Sequence, residues 1–468
     1  MADNDLGALD TLSALTAQVD GEVVTPDHPD FEVARRVWNG IHDRRPRVII
    51  RCASAADVSL GVAFARTHGL PLAVRGGGHG VAGHGTVDEG VVLDLAAMRS
   101  VSVDDQAREV TVGGGATWGE VDAVTQEAGL AVPGGVFSRT GVAGLALAGG
   151  YGWLRNAYGL SCANLVAAEV VTAQSEVVQA SATENPELLW ALRGGGGNVG
   201  VVTSFTFRAH PVDREVYFLM VHHDASDGDG ARALRDFRDF CANAPDSTSL
   251  MAFAGVVPEG AHGFVPGSAG RPFVAFAGMV LGDPAEGERV LRPLHEFGVP
   301  LSDASGVMPY VEVQKAFDEE YPDGMRYYWK SVNVTDLGDA AIEAIAAAGR
   351  TPASDLSTID VWHVAGAAAE PVDGAFATSS AAFLVNPEAN WVDAADDDAN
   401  IAWTRSLVST LEPFSDGTRY LNFAGFQEEG ADLVRASFGD RYERLAAVKA
   451  QWDPENLFRL NPNVRPLE

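Results

Sequence analysis

Leu72-Ala-Val-Arg-Gly-Gly-Gly-His-Gly80 is a short apolar run that ends in Arg75, three glycines and His79. The run predicts a strand, and the glycines predict a reversal at which backbone N–H groups can approach a ligand because no Cβ intervenes. Two more glycine-dense stretches follow: Pro133-Gly-Gly-Val-Phe-Ser-Arg-Thr-Gly-Val-Ala-Gly-Leu-Ala-Leu-Ala-Gly-Gly-Tyr-Gly-Trp153 and Arg193-Gly-Gly-Gly-Gly-Asn198. One such run is most simply a tight turn. Three runs beside strands in one half of a chain point instead to a large ligand with a diphosphate.

The surrounding pattern alternates strands and helices. Val48-Ile-Ile-Arg-Cys reads as a strand, and Ser54 caps a helix that ends at Gly69. Gly90-Val-Val-Leu-Asp-Leu, Glu109-Val-Thr-Val, residues 167–172 and 177–180 read as further strands; Thr117-Trp-Gly-Glu120 is a capping box, and Asn185-Pro186 opens a short helix. Before these, Met1 to about Asp27 predicts a lead-in helix and loop.

Beyond Pro211 the glycine runs stop and longer strands are expected at Val216–His222 and Phe273–Leu281. Amphipathic helices carry Ala231, Leu234, Phe237 and Cys241, and Ile342, Ile345 and Ala346. A capped helix is expected over Asp440–Trp452, and Asp396-Asp-Asp398 is expected in a solvated loop.

Composition bounds the function. A chain of 468 residues with 46% apolar and 21% charged residues predicts two folded domains. Its 33 basic and 64 acidic residues leave a net charge of −31, which repels nucleic acid and anionic membranes. Only Lys315, Lys330 and Lys449 are lysines, and such an acidic surface suits a halophilic protein kept soluble in concentrated salt. The N-terminus shows no basic-then-apolar leader, so a cytoplasmic location is expected. Cys52, Cys162 and Cys241 are widely spaced and suggest neither a disulfide framework nor a zinc site; His222 and His223 alternate faces of a strand and cannot share a metal.

Gly78-His-Gly80-Val-Ala-Gly83 fits the dinucleotide fingerprint in letters alone. That fingerprint needs a helix to begin there, whereas a turn-rich segment and a strand follow, which demotes an NAD enzyme. Taken with Thr140-Gly-Val-Ala-Gly-Leu-Ala-Leu-Ala-Gly-Gly-Tyr-Gly-Trp153, Trp190-Ala-Leu-Arg-Gly-Gly-Gly-Gly-Asn-Val-Gly-Val-Val-Thr203 and Trp452-Asp-Pro-Glu-Asn-Leu-Phe-Arg-Leu-Asn-Pro-Asn-Val-Arg-Pro466, the Arg75–His79 motif resembles the berberine bridge enzyme-like oxidases. These belong to the vanillyl-alcohol oxidase/p-cresol methylhydroxylase flavoproteins. The resemblance runs from about residue 30 to 468.

It implies an α+β fold: a two-subdomain FAD-binding domain of the p-cresol methylhydroxylase type, and a substrate domain with an antiparallel sheet flanked by helices. The expected division is 1–212 for the FAD-binding part, 213–424 for the substrate domain and 425–468 for a return to the first. His79 is implied as the covalent anchor of the flavin 8α carbon. Around the cofactor the resemblance places Arg75, Gly76, Gly77, Gly78 and Gly80 from the first motif, and Gly134, Gly135, Thr140, Gly141 and Gly144 from the second. Gly149, Gly150 and Gly152 end that block, Val202 follows the third, and Asn461 and Asn463 come from the tail. Many relatives add a second bond through a cysteine where Phe137 stands here, so attachment through His79 alone is expected. Cys162 lies outside the linking position and is expected to be a small buried residue. Ala163 replaces an aspartate usual in relatives, and Phe376-Ala-Thr-Ser-Ser380 lacks their arginine.

For the chemistry, Tyr328 and Lys330 resemble residues of a strand that faces the flavin, with Lys330 either a functional amine or half of a surface ion pair. Tyr420 and Asn422 share a strand face in the expected geometry, Tyr420 being a general base with a lowered pKa or a core tyrosine. His363 lines the pocket or sits in the core. The implied function is an FAD-dependent oxidase that takes a hydride from a small alcohol, amine or sugar-like substrate and passes the electrons to O2, giving H2O2. A dehydrogenase with another acceptor, and a flavin-binding protein without catalysis, are the alternatives. No metal is expected, and the sequence does not indicate an oligomeric state.

Overall fold

The computed structural model describes residues 11–377, 379–426 and 431–467. The first ten residues of the expected lead-in lie outside them; the remainder forms a helix, Leu12–Gln18, and a strand, Glu22–Val24.

Three main sheets follow from three kinds of sequence, and a two-stranded ribbon pairs Leu130–Ala131 with His210–Pro211. Val48–Arg51, Val91–Asp94 and Leu72–Arg75 pair in parallel, with Val91 opposite both Val48 and Leu72. The helix Ala55–Thr67 makes the crossover, and Ser54 Oγ accepts from Asp57 N at 3.3 Å at its start. Parallel strands are covered on both sides, which explains their unbroken runs of valine, isoleucine and leucine. The second sheet is antiparallel, in the order 101–104, 109–113, 201–208, 165–171 and 177–181. Thr117 and Glu120 form the expected capping box before Trp118–Thr125.

The third sheet has nine antiparallel strands and runs from Pro300–Asp303 through Glu215–Asp224, Pro272–Val280, Thr248–Val256, Thr358–His363 and Phe383–Trp391 to Arg326–Trp329. Four helices, Gly230–Cys241, Pro284–His295, Asp339–Gly349 and Asp397–Leu411, cover one face. The other face carries Trp329, Trp362, Met251 and Phe253 against Tyr151, Trp153 and Tyr420 from outside the sheet. The architecture is α+β, with an antiparallel substrate-side sheet backed by helices.

The tail returns to the first half. Phe438, Tyr442 and Leu445 pack with Leu189, Trp190 and Phe205, and buried Lys449 Nζ donates to Asn198 O (2.7 Å) and Phe458 O (2.9 Å) while pairing with Asp453.

Several local expectations change. Asp396–Asp398 begins a helix, and Asp397 is consumed by Arg326 and by Trp391 Nε1 at 2.8 Å. The last long helix is Tyr442–Trp452, preceded by a 3-10 turn and without a side-chain cap. Asn185 takes a left-handed φ of 49° and donates to Gln179 O at 2.7 Å rather than capping the helix it precedes.

Candidate active site

The strand Leu72–Arg75 delivers Gly76–Gly80 to a long cleft between the first two sheets, the tail and the bare face of the third sheet. Gly77 and Gly141 meet backbone to backbone: a Cβ at Gly77 would lie 2.5 Å from Gly141 Cα, and one at Gly141 would lie 2.4 Å from Gly77 N. Only glycine permits that approach. Arg75 lines the cleft, but its guanidinium is spent on Asp94 (2.8 Å) and Arg36 O (3.1 Å). No other lysine or arginine lines the cleft among the described residues, so its glycine-rich wall offers backbone and no free side-chain cation to a ligand.

The cleft fits FAD. Gly80, Gly144 and Gly197 line it with open space where a Cβ would stand, and the buried Oδ1 of Asn461 has no partner. The tail is clamped over this end: Asn461 Nδ2 donates to Gly197 O (3.2 Å), and Asn198 holds Pro462 O (3.1 Å) and Val464 N (2.9 Å).

Gly76, Gly77, Gly78, Gly80, Gly135, Thr140, Gly141, Gly144 and Val202 line the same cleft with His79 and Asn461. Gly134 does not; a Cβ there would strike the Trp118 ring at 2.7 Å. Gly149, Gly150 and Gly152 also lie behind the lining. Gly152 packs on Gly134, where a Cβ would be 2.0 Å from its carbonyl oxygen, and Gly150 N donates to Tyr420 Oη at 3.2 Å. Asn463 lines a neighbouring cavity instead.

The half-buried His79 ring stacks on Trp38 with centroids 4.1 Å apart. Desolvation, aided by the Arg139 charge, presses its pKa to about 3, which keeps the imidazole neutral. Phe137 lines the cleft 5.9 Å from the His79 ring and sits edge-on to Tyr321. Cys162 is buried, and burial pushes its thiol up to about 12.

The catalytic candidates separate. Tyr420 and Asn422 line the cleft, brought together by a 3-10 turn over Leu421–Phe423 and not by a strand. Tyr420 Oη accepts from Asn422 Nδ2 (2.9 Å), Gly150 N (3.2 Å) and Tyr151 N (3.3 Å). These donors favour the phenolate, yet burial outweighs them and raises the pKa to about 12, the reverse of the expected lowering.

Tyr328 and Lys330 do share a face, but it is the helix-covered one: Tyr328 Oη accepts from Arg405 Nε at 3.1 Å, and both approach Gly425. The strand parity puts Trp329 on the cleft wall instead. His363 is a core histidine, 5% exposed, with Asn156 Nδ2 3.4 Å from its Nδ1 and its pKa lowered to about 4 by burial and then by Arg155.

Behind Trp329 lies a buried acid pair that sequence reading missed. Glu388 sits opposite Trp329 in register and accepts from Tyr321 Oη (2.9 Å) and Asn386 Nδ2 (2.7 Å). Its neighbour is Asp360, which accepts from Thr358 Oγ1 at 2.9 Å and feels the Glu388 charge. Desolvation raises Asp360 well above the carboxylate range and Glu388 to about 7. The only signal in the sequence was the polar alternation Asn386-Pro-Glu388-Ala-Asn390 within an otherwise apolar strand.

Comparisons with known proteins identify the family. A family profile described as FAD binding domain matches residues 46–181, and one described as berberine and berberine-like matches 419–465. (R)-6-hydroxynicotine oxidase of Paenarthrobacter nicotinovorans is 31% identical, with 97% of this chain and 98% of that protein aligned. The crystal structure of 6-hydroxy-D-nicotine oxidase from Arthrobacter nicotinovorans superposes with a TM-score of 0.87 at 31% identity, covering 96% of this chain and 98% of the other. Xylooligosaccharide oxidase from Myceliophthora thermophila shares the fold, with a TM-score of 0.84 at 21% identity over 98% of this chain and 100% of that one. The chain belongs to the berberine bridge enzyme-like FAD-linked oxidoreductases of the vanillyl-alcohol oxidase/p-cresol methylhydroxylase superfamily. It is an FAD-binding oxidoreductase.

Proposed function

We propose that this protein is an oxidase that holds FAD through one covalent bond from His79 and oxidises a small organic alcohol, amine or sugar-like substrate, with O2 as acceptor and H2O2 as product. The observation that carries this reading is His79 itself, a neutral imidazole on the wall of a glycine-built cleft, with a phenylalanine at the other family attachment position. The (R)-6-hydroxynicotine oxidase relative puts amines first in the substrate screen.

FAD supplies the two-electron oxidant, a ring nitrogen that accepts hydride from a carbon activated by oxygen or nitrogen. The chain supplies placement. Trp329, Trp362 and Phe423 form an aromatic wall that excludes water at one end of the cleft. Tyr420 is protonated at neutral pH, and with three N–H donors on its oxygen its own hydrogen remains to bond the substrate heteroatom. Asn422 fixes that phenol from the same turn.

The test is anaerobic mixing with alcohols, amines and oligosaccharides, followed by air. A hit bleaches the flavin and then yields peroxide on aeration. Bleaching without reoxidation by air identifies a dehydrogenase, and no bleaching across the screen identifies a flavin carrier. Acid precipitation should leave the yellow colour in the pellet of wild type and in the supernatant of His79→Ala.

A further inference from the structure

The His79 imidazole is one layer of an aromatic stack that crosses between the two halves of the molecule. Trp38 lies 4.1 Å from it at an interplanar angle of 13°, and Tyr327 lies 3.7 Å from Trp38 at 10°. Trp38 is thus sandwiched between His79 and a strand of the nine-stranded sheet, and it is 4% exposed.

Its every polar group is engaged. The Trp38 amide donates to Gly78 O (3.2 Å), its carbonyl accepts from Gly324 N (2.8 Å) and its Nε1 donates to Tyr321 O (3.0 Å). The next residue repeats the bridge: Asn39 Nδ2 donates to Val81 O and to Tyr327 O, both at 2.8 Å, and Asn39 Oδ1 accepts from Tyr327 N at 3.0 Å. Gly78 and Val81 flank His79 closely, whereas Tyr321, Gly324 and Tyr327 belong to the substrate-side half.

We propose that Trp38 is a positioning residue for covalent flavin attachment. This rests on the reading of His79 as the tether. The lone pair of an imidazole nitrogen lies in the ring plane, so stacking fixes that plane while leaving the reactive edge open to the cleft. Trp38 does not line the cleft and acts only through His79. Because its anchors are Tyr321, Gly324 and Tyr327, the imidazole reaches its attacking orientation only when the substrate-side sheet is docked.

In the attachment step the unprotonated His79 nitrogen forms the N–C bond, the other ring nitrogen releases its hydrogen as a proton, and the flavin 8α methyl loses one hydrogen. The electron pair and two protons released reduce the isoalloxazine, and dioxygen, the acceptor of the proposed oxidase, removes them as hydrogen peroxide.

The experiment loads flavin-depleted full-length protein with FAD in air and follows the acid-insoluble flavin with time. Trp38→Leu keeps apolar bulk but removes the stack; it should bind FAD and attach it roughly 10- to 100-fold more slowly. Trp38→Phe restores a ring without the indole N–H and should attach at nearly the wild-type rate. Wild-type attachment in Trp38→Leu overturns the proposal, as does equal impairment of both variants, which would assign the effect to the lost hydrogen bond or bulk. If Trp38→Leu does not fold, Tyr327→Leu decides: slowed attachment supports the stack, and an unchanged rate overturns it. Acid-insoluble flavin in His79→Ala, or wholly soluble flavin in wild type, overturns the tether and the positioning role together, and is distinguished from the other failures by that control.

Discussion

Tyr420 shows how opposing influences decide one side chain. Three N–H donors pull its pKa down and complete burial pushes it further up, so the phenol stays protonated and offers a hydrogen bond rather than a ready base. Tyr420→Phe preserves the ring and removes that bond. It should lower kcat by about 10²-fold or more while FAD loading is unchanged, measured by stopped-flow flavin reduction. Loss of flavin instead would assign Tyr420 to the cofactor cradle. Arg75 teaches a related lesson, because the one arginine in the motif is an internal strut paired with Asp94 and leaves no free guanidinium to the glycine-lined cleft.

At the scale of elements, two clusters carry measurable consequences. The tail is held by Lys449, whose Nζ serves Asn198 O, Phe458 O and the Asp453 carboxylate in the interior. Lys449→Met leaves a buried carboxylate without its cation and should destabilise the fold by about 3–5 kcal/mol. Chemical denaturation of the loaded protein checks it; an unchanged midpoint would mean that the tail is held by packing alone. On the sheet, Glu388 titrates near 7 when folded, against an ordinary value of 4.5. Between those values the folded state binds more protons than the unfolded one, so this group's contribution to stability is full below about 4.5 and declines as pH rises to about 7. Asp360 acts in the same direction. Glu388→Gln should therefore flatten the loss of stability between pH 5 and 8, as read from thermal melts at the two pH values. A slope equal to wild type would place the titration elsewhere.

For the whole molecule, the net charge of −31 dominates. The surface ion pairs, such as Arg35–Glu32 and Arg444–Glu187, are too few to neutralise 64 acidic side chains with 33 basic ones. Each exposed pair contributes little, and residual like-charge repulsion is screened as the Debye length falls from about 10 Å at 0.1 M to about 3 Å at 1 M. The melting temperature should rise as sodium chloride increases across that range; a flat or falling curve would remove the argument for a salt-adapted surface.

The sequence by itself determined the cofactor side. Close backbone approach at Gly77 and Gly141 demands glycine whatever the surroundings, and the ordered glycine motifs and tail are legible without knowing their neighbours. The sheet faces, the 3-10 turn at Tyr420 and the acid pair were decided by tertiary structure. Local alternation shows that Tyr328 and Lys330 share a face, but which face meets the cleft depends on where Asp397–Leu411 packs. Trp38 is the extreme case: its neighbour Asn39 binds Tyr327, 288 positions away, and no local pattern encodes a ring sandwich assembled from segments that meet only when the chain is folded.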